Sequence, residues 1–197
     1  IIPLHFAGLP CDQDGVYELA KKYNLRIIED GTHAFGTTIK NKKIGSYGDI
    51  TCFSFDPVKI ITAVDGGCII VNSVEEVKRL KKLRLLGIST DPMDRAKGGK
   101  LSNGWNYDVE SKGFRYHMNT ITATIGISQI KRIEDFILSR RIICQKYNEA
   151  FKDIPNLKIP ETNFSNISPF IYYLRMIDGE REKLREYLID QNIDTGI

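Results

Sequence analysis

"SFDPVKIITAVDGGCIIV", residues 54–71, sets one lysine, Lys59, between two apolar runs, the second opened by paired glycines. Desolvating a lysine is costly. A chain that carries one into its most apolar stretch either leaves it at a solvated hairpin tip or keeps it for its amine chemistry. The flanks set the frame for that choice. "DITCFSF" (49–55) and "GCIIVN" (67–72) are short, apolar and rich in β-branched and aromatic residues, the composition of buried strands.

Outward from these strands the pattern is α/β. "IIPLHF" (1–6) and "LRIIED" (25–30) are further strand-like runs. "DQDGVYELAKKYN" (12–24) lies between them, with Asp12 placed to cap a helix and Val16, Leu19, Ala20 and Tyr23 at helical spacing. Strand, helix, strand within thirty residues implies parallel pairing with the helix packed on the sheet. "SVEEVKRLKKLRLLG" (73–87) is a helix with a Ser73/Glu76 capping box, Val77, Leu80 and Leu83 on one face, and Gly87 as its stop. Residues 88–112 form a long polar loop carrying Trp105 and Tyr107, with Phe114 just beyond. From Asn119 a helical pattern runs through Ile125, Ile130, Ile133 and Ile137 to Phe151, with a bend or break on the way. Strand-like "NLKIP" (156–160) and "FIYYLRMI" (170–177) follow, then the helix "EREKLREYLIDQN" (180–192).

The 197 residues suffice for a sizeable core, and 42% are apolar. A net charge of +3 argues against nucleic acid or a membrane as partner. Cys11, Cys52, Cys68 and Cys144 stand far apart with no CxxC or Cys/His cluster, which fits a reduced, cytoplasmic compartment. The opening "IIPLHF" is too short for a signal or a membrane span. A start without methionine, straight into a strand, reads as a piece of something longer.

In open α/β sheets, ligands bind beyond the carboxyl ends of the strands. "EDGTH", "SFDPVK" and "HFAG" all fall there in this reading. Asp30 ends an apolar strand and could be held ionised by a cation. Lys59 could serve directly, but a protonated heteroaromatic ring between the two explains more. Pyridoxal phosphate requires an amine for covalent attachment, a carboxylate for its ring nitrogen and donors for its phosphate. Ser54 suits the last task. The plainer readings stand beside this one: Asp30 as a turn residue and Lys59 as a solvated side chain.

The run from "IIPLHFAGLPCDQDG" through "IIEDGTH", "GSYGDI", "SFDPVK" and "DGGCIIV" resembles the central portion of the DegT/StrS sugar aminotransferases, which are fold-type I pyridoxal phosphate enzymes. "GFRYHMNTITATIGISQI" (113–130) is similar to the family's later motif, which opens its interdomain helix, and the closing "IDTGI" also matches. The resemblance implies a mainly parallel sheet with helices on both faces. It divides the chain into residues 1–118, part of the cofactor-binding domain, and 119–197, the interdomain helix and the start of a smaller α+β domain.

By this resemblance, Lys59 matches the lysine that holds the cofactor, Asp30 the partner of the pyridinium nitrogen, and Ser54 a phosphate-binding hydroxyl. His33 stands where the family usually has glutamine, by the cofactor's phenolic oxygen, and its charge would vary near neutral pH. Arg115 replaces an asparagine that reaches the neighbouring subunit's cofactor phosphate, and arginine is the stronger donor. The implied function is transfer of an amine, from glutamate, to a keto group on a nucleotide-linked deoxysugar by a cytoplasmic homodimer. The family's N-terminal part, with its phosphate loop and ring-stacking aromatic, lies outside this sequence, which implies weak cofactor binding and little turnover for the chain alone.

Two other classes are weighed against this. A non-catalytic or dehydratase-type relative is disfavoured because Lys59 and Asp30 are both retained. A nicotinamide enzyme would need a Gly-rich loop, which "HFAGLPCDQDG" does not supply. Of the remaining candidates, His5 reads as a packed histidine and His117 as undecided. Trp105 and Tyr107 line a cleft or anchor their loop. Phe170, Tyr172 and Tyr173 read as the core of a small-domain strand. Gly98-Gly99 is no nucleotide motif.

Overall fold

A computed structural model of the chain describes residues 1–88, 108–177 and 179–196. Asp12 accepts the Gly15 amide at 3.1 Å and starts helix α1 (Gln13–Tyr23), which Asn24 ends in the left-handed conformation. Strand β1 (Ile28–Asp30) pairs in parallel with β4 (Ile50–Ser54), setting Asp30 opposite Cys52. A small hairpin of β2 (Thr38–Ile39) and β3 (Lys42–Lys43) lies between them in sequence. Strand β5 (Gly67–Val71) pairs antiparallel with β4, Ser54 opposite Gly67, so the sheet runs β1–β4–β5 and is only partly parallel.

Helix α2 (Val74–Arg84) starts on Ser73, whose hydroxyl accepts the Glu76 amide at 3.3 Å. Glu76 does not turn back to close the box; its carboxylate meets Arg26 at 2.8 Å, and Arg26 also grips Asp49. Asn119 caps α3 (Thr120–Ile130) by accepting the Thr122 amide. The helical run breaks at Lys131–Arg132 and resumes as α4 (Ile133–Phe151), the interruption the sequence suggests. The two-stranded ribbon of β6 (Leu157–Lys158) and β7 (Arg175–Met176) and helix α5 (Arg181–Asp190) complete the described chain.

Two expected strands shrink most. In the 1–6 run only Leu4 forms a bridge, with Asp30, although the Ile1 and Pro3 carbonyls accept from Ile28 and Asp30 at 3.0 and 2.8 Å. Pro3 has no amide to give back. In 170–177 only Arg175–Met176 is strand, because Phe170 spends its backbone groups on Ala7 and Arg140. Among the described residues, two apolar clusters hold the fold. Ala34, Ile44 and Phe53 pack with Phe35, Ile39 and Cys68 beside the sheet, and Cys144, Phe164 and Ile167 pack with Leu9 and Tyr172 beside α4. Trp105, Tyr107 and Gly98-Gly99 lie outside the described residues.

Candidate active site

Lys59 sits in the connection from β4 to β5, and that connection is not a free tip. Ile60, Ile61 and Ala63 are buried beneath it. The Lys59 amide donates to the Asp56 carbonyl at 3.0 Å, and Phe55 closes the loop by accepting from Ala63 and donating to Gly66. Gly66 adopts φ +111°, and a Cβ there would come within 2.6 Å of Met118; a Cβ on Gly67 would strike the Phe53 carbonyl at 2.4 Å. The paired glycines therefore let β5 start hard against β4 while the 113–130 segment closes over the loop. Gly126 of α3 likewise faces Ala63, at 3.3 Å from an added Cβ. Apolar anchors on both sides leave Lys59 half-buried.

Asp30, Cys52 and Ser54 share one face of the sheet, by the β1–β4 register and the alternation along β4. The Thr32 amide donates to Asp30 Oδ1 at 3.0 Å, which fixes the carboxylate at the strand end. Ser54 Oγ accepts the Asp56 amide at 3.3 Å and keeps its own proton to donate. His33 follows three residues after Asp30, and its Nδ1 accepts the Ala7 amide at 3.4 Å, which assigns the ring proton of the neutral form to Nε2. Burial and the Lys59 charge push the His33 pKa down, and Asp30 pulls against them. The lowered pKa favours the neutral ring, which offers Nε2–H as a donor.

His33 thus feels both Lys59 and Asp30, yet those two form no ion pair. The Lys59 amine faces the Phe170 ring instead, 4.6 Å from its centre. A carboxylate, an amine, a neutral imidazole and a free hydroxyl at the carboxyl ends of parallel strands are the donor set that a phosphorylated pyridine aldehyde needs. The residues fit that group.

Arg115 is not brought into this cluster. It lies beside the end of α2, where it bridges Leu85, and its side chain is exposed and makes no hydrogen bond or ion pair among the described residues. His117 is exposed too. His5 is wholly buried, with Nδ1 accepting the Cys11 amide at 3.2 Å and Nε2 on Glu29 at 2.9 Å, a packed histidine as the sequence suggests. Burial pushes all four thiols up, so they stay protonated. Phe170 corrects the reading of its segment: the ring packs at a tilt against His33, 4.4 Å between centres, and is not part of a strand core. No spacing or motif in the sequence marks it.

The family model for DegT/DnrJ/EryC1/StrS aminotransferases matches residues 1–197. The chain belongs to that family. It is 34% identical over 204 residues to the spore coat polysaccharide biosynthesis protein SpsC of Bacillus subtilis, covering 100% of this chain and 51% of SpsC. Its structure superposes on Helicobacter pylori PseC, an aminotransferase involved in the biosynthesis of pseudoaminic acid, with a TM-score of 0.84 and 26% identity over 97% of this chain and 50% of PseC. Spr1654 of Streptococcus pneumoniae, solved in its PMP form, gives 0.83 at 26% identity, covering 100% of this chain and 55% of Spr1654. The same protein is also solved in a PLP form. The α/β, fold-type I architecture expected of this DegT/DnrJ/EryC1/StrS member is therefore present. The chain spans about half the length of the curated relatives it matches. Among the described residues no helix is long and apolar enough to cross a membrane.

Proposed function

We propose that this chain carries the cofactor-holding half of a pyridoxal phosphate-dependent aminotransferase that places an amine on a keto group of a nucleotide-linked deoxysugar, with glutamate as donor. The observation that supports it is the convergence of Asp30, His33 and Lys59 at the strand ends, in a chain of this family. When bound, the cofactor supplies an aldehyde for amines and a ring that stores the electron pair released at the substrate carbon. Asp30 keeps the proton on the ring nitrogen. His33, through Nε2–H, donates to the ring's phenolic oxygen, and Ser54 donates its hydroxyl proton to the phosphate. Lys59 would hold the cofactor covalently and would be the group that carries a proton between the substrate carbon and the cofactor's aldehyde carbon.

Residues 1–118 would form part of the cofactor domain and 119–197 the interdomain helix and the start of a second domain. We place the protein in the cytoplasm as a homodimer in which the exposed Arg115 reaches the partner's phosphate site. A monomer in light scattering would remove that role. The central test is chemical: incubation with pyridoxal phosphate, reduction with borohydride and peptide mapping. Phosphopyridoxyl label is expected preferentially at Lys59, and Lys59→Ala should lose it while the other lysines label as before. Equal labelling of all lysines in the wild type would end this reading.

A further inference from the structure

The reactive lysine is restrained from the far end of the chain. Lys59 Nζ makes no hydrogen bond or ion pair among the described residues; its partner is the face of Phe170, 4.6 Å from the ring centre. The same ring packs at a tilt against His33, at 4.4 Å and 35°. Phe6 and Tyr173 continue the aromatic surface, 5.6 Å apart, and Phe6 lies 6.1 Å from His33. One aromatic side chain therefore touches two of the groups assembled beyond the strand ends.

Phe170 is itself held firmly. Its amide donates to the Ala7 carbonyl at 3.1 Å, and its carbonyl accepts from Arg140 of α4 at 3.2 Å. Two residues earlier, the buried Ser168 donates its amide to Thr37 Oγ at 2.9 Å, and Thr37 passes its own proton to the Gly8 carbonyl at 2.8 Å. Thr38 donates to the Asn166 carbonyl, and Arg141 to that of Ile167. The loop bearing Phe170 is thus fastened both to the turn that supplies the Ala7 amide to His33 and to α4. A lysine has large rotamer freedom and loses its aim unless something fixes its end. Among the described residues, the surface that the amine faces is this ring.

We propose that Phe170 is a positioning residue: it aims the Lys59 amine through a cation–π contact and braces His33, so that docking of the 164–170 loop sets the reach of the reactive lysine. This rests on the aminotransferase reading of Lys59. It also gives the second half of the chain a part in the site that no motif announces.

The test follows incorporation at each lysine during incubation of the protein with pyridoxal phosphate, quenched by borohydride at intervals. Phe170→Leu keeps apolar bulk but removes the ring face, and it should slow labelling of Lys59 about fivefold. Surface lysines and the circular dichroism spectrum should not change. Phe170→Tyr, which keeps the face, should restore the rate. Should Phe170→Leu fail to fold, Phe170→Met replaces it. Wild-type labelling of Lys59 in the Leu variant, or a Tyr variant as slow as Leu, overturns the role of Phe170 and leaves the aminotransferase reading intact. Absence of preferential labelling at Lys59 in the wild type overturns both.

Discussion

Glu29 and Asp30 stand side by side at the end of β1 and point to opposite faces of the sheet. Glu29 is 1% exposed and saturated. Its Oε2 takes His5 Nε2–H at 2.9 Å and Gln13 at 3.0 Å, and its Oε1 takes the Tyr17 hydroxyl at 2.5 Å. Tyr47 donates to the far side of Gln13, and the Asp49 amide to Tyr17. Burial alone would raise the Glu29 pKa, but the hydrogen bonds from His5 and Tyr17 outweigh it and hold the group ionised. Asp30 is half-buried, and among the described residues its carboxylate accepts only the Thr32 amide. A carboxylate surrounded by donors has nothing left to offer a ligand and serves the fold. One with unspent acceptor capacity, sharing the neighbourhood of His33 with a lysine that has no ion-pair partner among the described residues, is equipped to serve a reaction.

The sharpest way to break this contrast is to remove one charge at a time. Glu29→Gln would set an amide donor against three donors already pointing inward, so it should destabilise almost as much as Glu29→Ala, by about 3 kcal/mol. For a domain of this size that lowers the melting temperature by roughly 6–12 °C. Asp30→Asn keeps the acceptor for Thr32 and loses only the charge, so stability should change by no more than about 0.5 kcal/mol, while cofactor-dependent turnover of the protein falls about a hundredfold. Thermal melts and transamination assays on the two variants would separate the roles. A large melting shift in Asp30→Asn, or a small one in Glu29→Gln, would invert the assignment.

Much of this was legible in local sequence, because local rules produce it. Asp12 and Ser73 each cap the helix expected of them, a helix begins at Asn119 as the pattern suggests, and the paired glycines before β5 mark a close approach that the backbone makes. Asp30, His33 and Lys59 come together because the parallel strands β1 and β4 end on the same edge. What stayed hidden depends on distant partners. His5, Gln13, Tyr17, Glu29 and Tyr47 read one by one as ordinary strand, helix and loop residues, and only the hydrogen bonds that join the 1–6 run, α1, β1 and the loop before β4 make them a network. Phe170 sits in a run whose period suggests a strand. The hydrogen bonds that turn it towards Lys59 come from Ala7 and Arg140, neither of which is marked by sequence. Arg115 is the reverse case: a motif singles it out, and its backbone bridges Leu85, but no hydrogen bond or ion pair among the described residues engages its side chain.

The finest test of the comparison is His33, which reports on the charges of the open face. Its pKa lies below the ordinary 6.5 because burial and the Lys59 ammonium disfavour the imidazolium, with Asp30 opposing them. On acidification the unfolded chain therefore takes up this proton first. The corresponding stability is present above pH 6.5 and is lost as pH falls from there through the folded value. His33→Gln should flatten that part of the melting profile, an effect smaller than that of Glu29→Gln. Titration of the imidazole by NMR resolves the sources. Lys59→Ala should raise the midpoint only part of the way to 6.5, because burial is the larger cause. Asp30→Asn should lower it further. A midpoint that ignores both substitutions would mean that the two charges do not share the crevice with His33, and the contrast between the faces of β1 would lose its functional half.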